Sequence, residues 1–153
     1  MTGMKQWNIH PDALTNVSKV MLEEMIARKE KWEKLNKAKN HWSSFTLLSL
    51  GLFLLFGAQV LRGSSGLHFS SNFLSILVGN TILLLLILLF IVGIVQVKLL
   101  SKKTTKAEIE FEALREECIE RSSELWEKDQ SWQQRESVFT YMKTEHDINL
   151  YHK

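Results

Sequence analysis

The residues of this 153-residue chain that could do chemistry fall in four places. Glu145-His146-Asp147, with His152 nearby, are metal-ligating types, but three adjacent residues leave a helix in different directions and do not converge on an ion. Cys118 is the single cysteine, which excludes an internal disulfide and an all-cysteine metal site. Glu116 and Glu117 beside it oppose thiolate formation, so it is expected as a small apolar residue. The basic run Lys29, Lys31, Lys34, Lys37 and Lys39, with Trp32 inside it, could face acidic head groups or nucleic acid. Glu30 and Glu33 interleave with it, and its count is what membrane orientation requires, so it reads as a topology signal. Asn80 and Gln96 are polar side chains in an apolar stretch and could line a pore or bond to a neighbouring helix. No nucleophile elbow, phosphate loop, zinc-protease pattern or Cys-His spacing occurs. No catalytic, cofactor-binding or metal site is therefore expected, and no enzymatic activity.

The elements that carry these residues follow from how charge is distributed. Nineteen basic and seventeen acidic residues lie almost wholly at the two ends, and Arg62 is the only charge between Trp42 and Val97. Residues 42–61 hold no charge and would span about 30 Å as a helix. Residues 73–97 are more apolar still: 19 of the 25 are Leu, Ile, Val or Phe. At about −0.3 to −0.6 kcal/mol each, those side chains favour insertion by about 6 to 11 kcal/mol before polar penalties. The fold class expected is an all-α membrane protein built on a two-helix transmembrane hairpin. Residues 62–72 make a short extracytoplasmic Gly/Ser turn, so the two spans are antiparallel neighbours. Nine lysines flank the outer ends of the spans against one arginine in the turn, which places both termini in the cytoplasm of a cell membrane. Ser71, at the end of the turn, and Ser75, Gly79 and Asn80 in the second span are expected to pack against the first.

Residues 1–41 and 98–153 then form cytoplasmic amphipathic helices. Leu14, Met21, Met25 and Trp32 share one face of the first, which has no break before the span. Ser101 to Thr105 could interrupt the second, because Thr105-Lys106-Ala107-Glu108 matches a capping box. Beyond it Phe111, Cys118, Leu125, Trp132 and Phe139 recur every seven residues, a coiled-coil-like register. If His41 and Lys98 are level, equal rise pairs Trp32 with Ala107, Met25 with Leu114, Met21 with Cys118, and Leu14 with Leu125. The first helix then runs out, and Trp126, Trp132, Phe139 and Met142 are expected to stay exposed as a partner or self-association surface.

The lead-in Ile26-Ala27-Arg28-Lys29-Glu30-Lys31-Trp32-Glu33-Lys34-Leu35, together with the helix, hairpin, helix layout, resembles the YpbF-like family of small membrane proteins of bacilli. The resemblance implies a bacterial cell membrane and carries over no functional residues. The expected function is a non-enzymatic membrane scaffold that recruits or organises a partner through its cytoplasmic helices. Its partners would be the lipid bilayer and a protein or second copy, with no nucleic acid. The alternative is an oligomeric pore or holin-like permeabiliser, disfavoured because the spans lack a polar face.

Overall fold

A computed structural model describes residues 16–63, 77–126 and 129–151, and among them the chain is helical with no strand. Helix α1 spans Asn16–Gly63, α2 Thr81–Glu120, α3 the short turn Ser122–Leu125, and α4 Asp129–His146. With 48 and 40 residues, α1 and α2 are about 72 and about 60 Å long. Contacts divide the chain into an apolar unit, Lys34–Thr104, and a polar unit, Met1–Glu33 with Thr105–Lys153.

α1 runs unbroken from its charged half into its apolar half, as the lack of Gly or Pro before Gly51 predicts. α2 is also continuous, which answers the question the sequence left open at Ser101 to Thr105. The capping-box pattern there lies inside the helix. Thr104 instead donates its hydroxyl to the Leu100 carbonyl one turn back (2.8 Å), which satisfies it without a break.

Two expectations for the apolar unit are corrected. Asn80 is not a polar contact within a span; it is the N-cap of α2. Its Oδ1 accepts the Ile82 N–H (3.1 Å) and its carbonyl accepts the Leu84 N–H (3.2 Å). A short amide side chain competes with the helical backbone, and here it ends one helical stretch (residues 77–79) and starts the next. No described residue packs on Gly79 either, since among them nothing lies within 4 Å of where its Cβ would stand. Ser71 and Ser75 lie outside the described residues.

The close approach is made one to four turns further along, where Leu83, Leu86 and Gly93 are buried on one face of α2. A Cβ on Gly93 would collide with the Thr46 Oγ1 and would meet Thr46 Cβ and Cγ2 at 3.2 and 3.3 Å. Thr46 and the buried Ser49 quench their hydroxyls on their own helix, at the carbonyls of Trp42 (2.7 Å) and Thr46 (2.9 Å). Small residues with self-satisfied hydroxyls let two backbones approach without leaving a polar group unpaired. The large apolar side chains point the other way: Leu47 and Leu55 are each 70% exposed, and Val78, Leu88 and Val95 are exposed as well.

Candidate functional site

The polar unit builds a closed core from α1, α2, α3 and α4. Met21, Leu22, Met25, Phe111, Leu114, Cys118, Leu125, Trp126, Val138, Phe139, Met142, Ile148 and Leu150 form one buried cluster, and Ala107 is buried too. The expected seam residues Met21, Met25, Ala107, Leu114, Cys118 and Leu125 are thus all buried, and Leu14 lies outside the described residues.

The pairing differs by one helical turn from the level count. Trp32 stacks on Phe111 (ring centroids 6.1 Å apart, planes 7° apart), not at the level of Ala107. Ser18 reaches Leu125, donating its hydroxyl to that carbonyl (3.2 Å). The physical reason lies in side-chain direction. Every helical Cα–Cβ bond leans toward its own N-terminus. On oppositely running helices the two leanings converge, so side chains meet that start about a turn apart. Counting Cα levels ignores this. Arg28 also ties the two helices together, donating from Nη1 to the Glu110 carbonyl (2.8 Å), close to the level count, while its Nε holds Glu24 (3.1 Å).

The larger correction concerns Trp126, Phe139 and Met142, which are not an exposed surface. They are 1%, 4% and 0% exposed. The expected single C-terminal helix breaks after Glu120, and α4 returns along α2. Trp126 meets Phe139 edge-on (5.4 Å, 88°), and Arg115 donates from Nε to the Asn149 carbonyl (2.7 Å). The stripe that had no cover is covered by its own chain. The Trp132 side chain lies outside the described residues. Among the described residues the Trp126 indole N–H is buried without an acceptor.

Sequence reasoning also missed how α4 is closed. Asp147 adopts a left-handed conformation (φ 52°), and the Ile148 N–H returns to the Met142 carbonyl (2.9 Å), so Ile148 and Leu150 are buried against the cluster. Into this helix end projects Lys29, only 6% exposed. Its Nζ donates to the carbonyls of His146 (2.7 Å) and Asp147 and to the Asp147 carboxylate (3.1 Å). Three ammonium protons thus meet carbonyl and carboxylate oxygens at the negative end of a helix dipole. A lysine read as one of a topology cluster is therefore a structural residue. The alternation Ile148-Asn149-Leu150 was the available signal that the tail packs.

Burial, with Glu117 beside it, pushes the Cys118 thiol up from 9.0 to about 11. The raised value favours the protonated form in the fold. Its contribution is therefore present below about pH 9 and lost as pH rises through about 11. We expect iodoacetamide at pH 8 to leave Cys118 unmodified in the native chain and to alkylate it fully in denaturant; fast native alkylation would contradict its burial. Outside the core, Val17, Val20, Met21 and Leu114 line an open groove of about 540 Å³, rimmed by Glu24, Arg28 and Glu117. Among the described residues no three His, Cys, Asp or Glu come together as a metal-binding group.

Residues 21–153, which take in the lead-in, α1 from Met21 on, all of α2 and the α4 closure, match a family described as protein of unknown function (DUF2663). A curated relative, "Uncharacterized protein YpbF" of Bacillus subtilis (strain 168), is 30% identical over 145 residues, covering 95% of each chain. The chain belongs to the YpbF-like DUF2663 family. The family indicated by the lead-in and the layout is the one found. No solved structure matches the chain.

Proposed function

We propose that this YpbF-like protein is a non-enzymatic scaffold of the bacterial cell membrane, which holds a folded helical module at the cytoplasmic face. The observation that carries the reading is the contrast between the two units. In the apolar unit the large side chains, Leu47, Leu48, Leu54, Leu55, Ile82, Leu85 and Leu88 among them, are exposed. Water would oppose that surface by about 25 cal/mol per Å², whereas a bilayer accepts it. In the polar unit one cluster of aromatic and aliphatic residues is buried, Val17, Val20, Ile109 and Tyr151 are exposed, and charged side chains share the surface, as suits a module in water. Both long helices run without a break through residues of each kind. With its core closed on itself, the module meets a partner with its outer face.

The test is topological. In intact cells a cysteine at Ser64 is expected to react with an impermeant maleimide, and one at Ser101 only after the membrane is opened. The reverse pattern overturns the orientation, and release of the protein by alkaline carbonate overturns the membrane reading. Strong expression should leave the membrane potential intact, whereas a pore dissipates it.

A further inference from the structure

From Lys34 through Ala107 the chain contains no aspartate or glutamate, so the apolar unit, Lys34–Thr104, has no side-chain carboxylate at all. It does contain lysines at both of its polar ends. The polar unit is different: Lys29, Arg28, Lys31, Lys106, Arg115 and Arg121 each sit on a carboxylate. Lys37, Lys39, Lys98, Lys102 and Lys103 have none among the described residues, and Glu33, one turn from Lys37, turns instead to Lys29 (3.8 Å). The contact of Thr46 with Gly93 fixes where these lysines lie. Lys39 precedes Thr46 by about 10 Å of helix and Lys98 follows Gly93 by about 8 Å, so both lie toward the same end of the unit.

Membrane orientation alone does not account for this. It is governed by the number of Lys and Arg near the spans, and carboxylates contribute little to it. Insertion excludes acids from residues 42–97, but neither insertion nor orientation gives a reason to exclude them from the flanks, residues 34–41 and 98–107. A surface that receives anions does, because each acid repels what each lysine attracts.

We infer that Lys37, Lys39, Lys98, Lys102 and Lys103 form a binding belt for the phosphodiester head groups of anionic bilayer lipids. Bilayer lipid is the occupant because Lys98 directly follows Val97, the end of the uncharged run, and Lys39 lies three residues before Trp42. Trp42 and Phe45, edge to face at 5.6 Å, mark the same boundary with rings suited to head-group depth. Long aliphatic stems let the ammonium groups reach outward from apolar helices to that plane. The belt rests on the membrane reading above and adds a lipid preference to it.

The full chain is reconstituted in nanodiscs, where both faces are open and orientation does not matter. Spin-labelled phosphatidylglycerol and phosphatidylcholine then report how much of each lipid the protein immobilises. A preference for phosphatidylglycerol of about fivefold or more is expected at low salt, the scale of one lysine at a charged surface. It should fall toward parity in about 1 M salt, where the screening length is about 3 Å. Replacing all five lysines by glutamine should also abolish it, and five arginines should retain it, with helicity by circular dichroism unchanged. Equal immobilisation of the two lipids by the native chain overturns the belt, as does a preference that survives in the glutamine variant or in high salt. Tighter binding of the native chain to short duplex DNA than to phosphatidylglycerol discs overturns it in favour of nucleic acid. Failure to remain in discs of phosphatidylcholine alone overturns the membrane reading and the belt together, whereas stable insertion without lipid preference removes only the belt.

Discussion

Gly93→Leu is expected to drive the two apolar helices apart, while Gly51→Leu leaves them as they are. The Gly93 Cβ position falls within Thr46, whose hydroxyl is already committed to the Trp42 carbonyl, so the threonine cannot turn away without giving up that bond. A leucine adds three further carbons to the collision. Overpacking of a tight contact costs about 1–3 kcal/mol, and a helix separation that exposes Ser49 and Leu86 adds to it. Gly51 has nothing within 4 Å, so its leucine meets only the surroundings and should change stability by less than about 0.5 kcal/mol. Unfolding by steric trapping in bicelles measures both. Thr46→Ala should recover part of the Gly93→Leu loss in a double-mutant cycle. Equal effects at Gly93 and Gly51 would show that Gly93 is not a point of contact.

The second large effect is expected at Trp126. Its side chain is buried against Phe139, and truncation to alanine should cost the polar unit about 3–5 kcal/mol. Trp126→Phe should cost much less. It gives up ring volume but removes an indole N–H that has no acceptor among the described residues, a group whose burial costs about 1–3 kcal/mol. Urea unfolding of the full chain in detergent, read by pulse proteolysis, separates the two. If Trp126→Ala leaves stability unchanged, the residue is not core and an exposed surface has to be reconsidered.

That residue also shows why parts of the fold were legible in the sequence and others were not. Long apolar runs and one-face periodicity are local properties, and α1, α2 and the buried positions Met21, Met25, Leu114 and Cys118 could be read from them. The fold-back after Glu120 could not. Neither Gly nor Pro marks it, and only Ser122-Ser123 breaks the run of good helix formers. The seven-residue spacing from Phe111 to Phe139 continues in phase across the break, so periodicity describes two helices as one. Asn80 failed for another reason. One residue type serves as intramembrane glue and as a helix cap, and the backbone around it decides which. The Lys29 contacts join positions 117 and 118 residues apart in sequence, beyond any pattern a local window contains.

Those contacts also impose an order on how the protein is made. The Lys29 side chain leaves the ribosome 117 residues ahead of its acceptor at His146. Both apolar segments are synthesised in between. At about 5–20 residues per second, the ammonium waits on the order of ten seconds with water as its only reliable partner. Until then the core cannot close over it, because a buried ammonium without acceptors is far costlier than an open fold. Closure of this core is thus tied to synthesis as far as Asp147, and a chain cut between Lys29 and Asp147 loses the acceptors that let the lysine be buried.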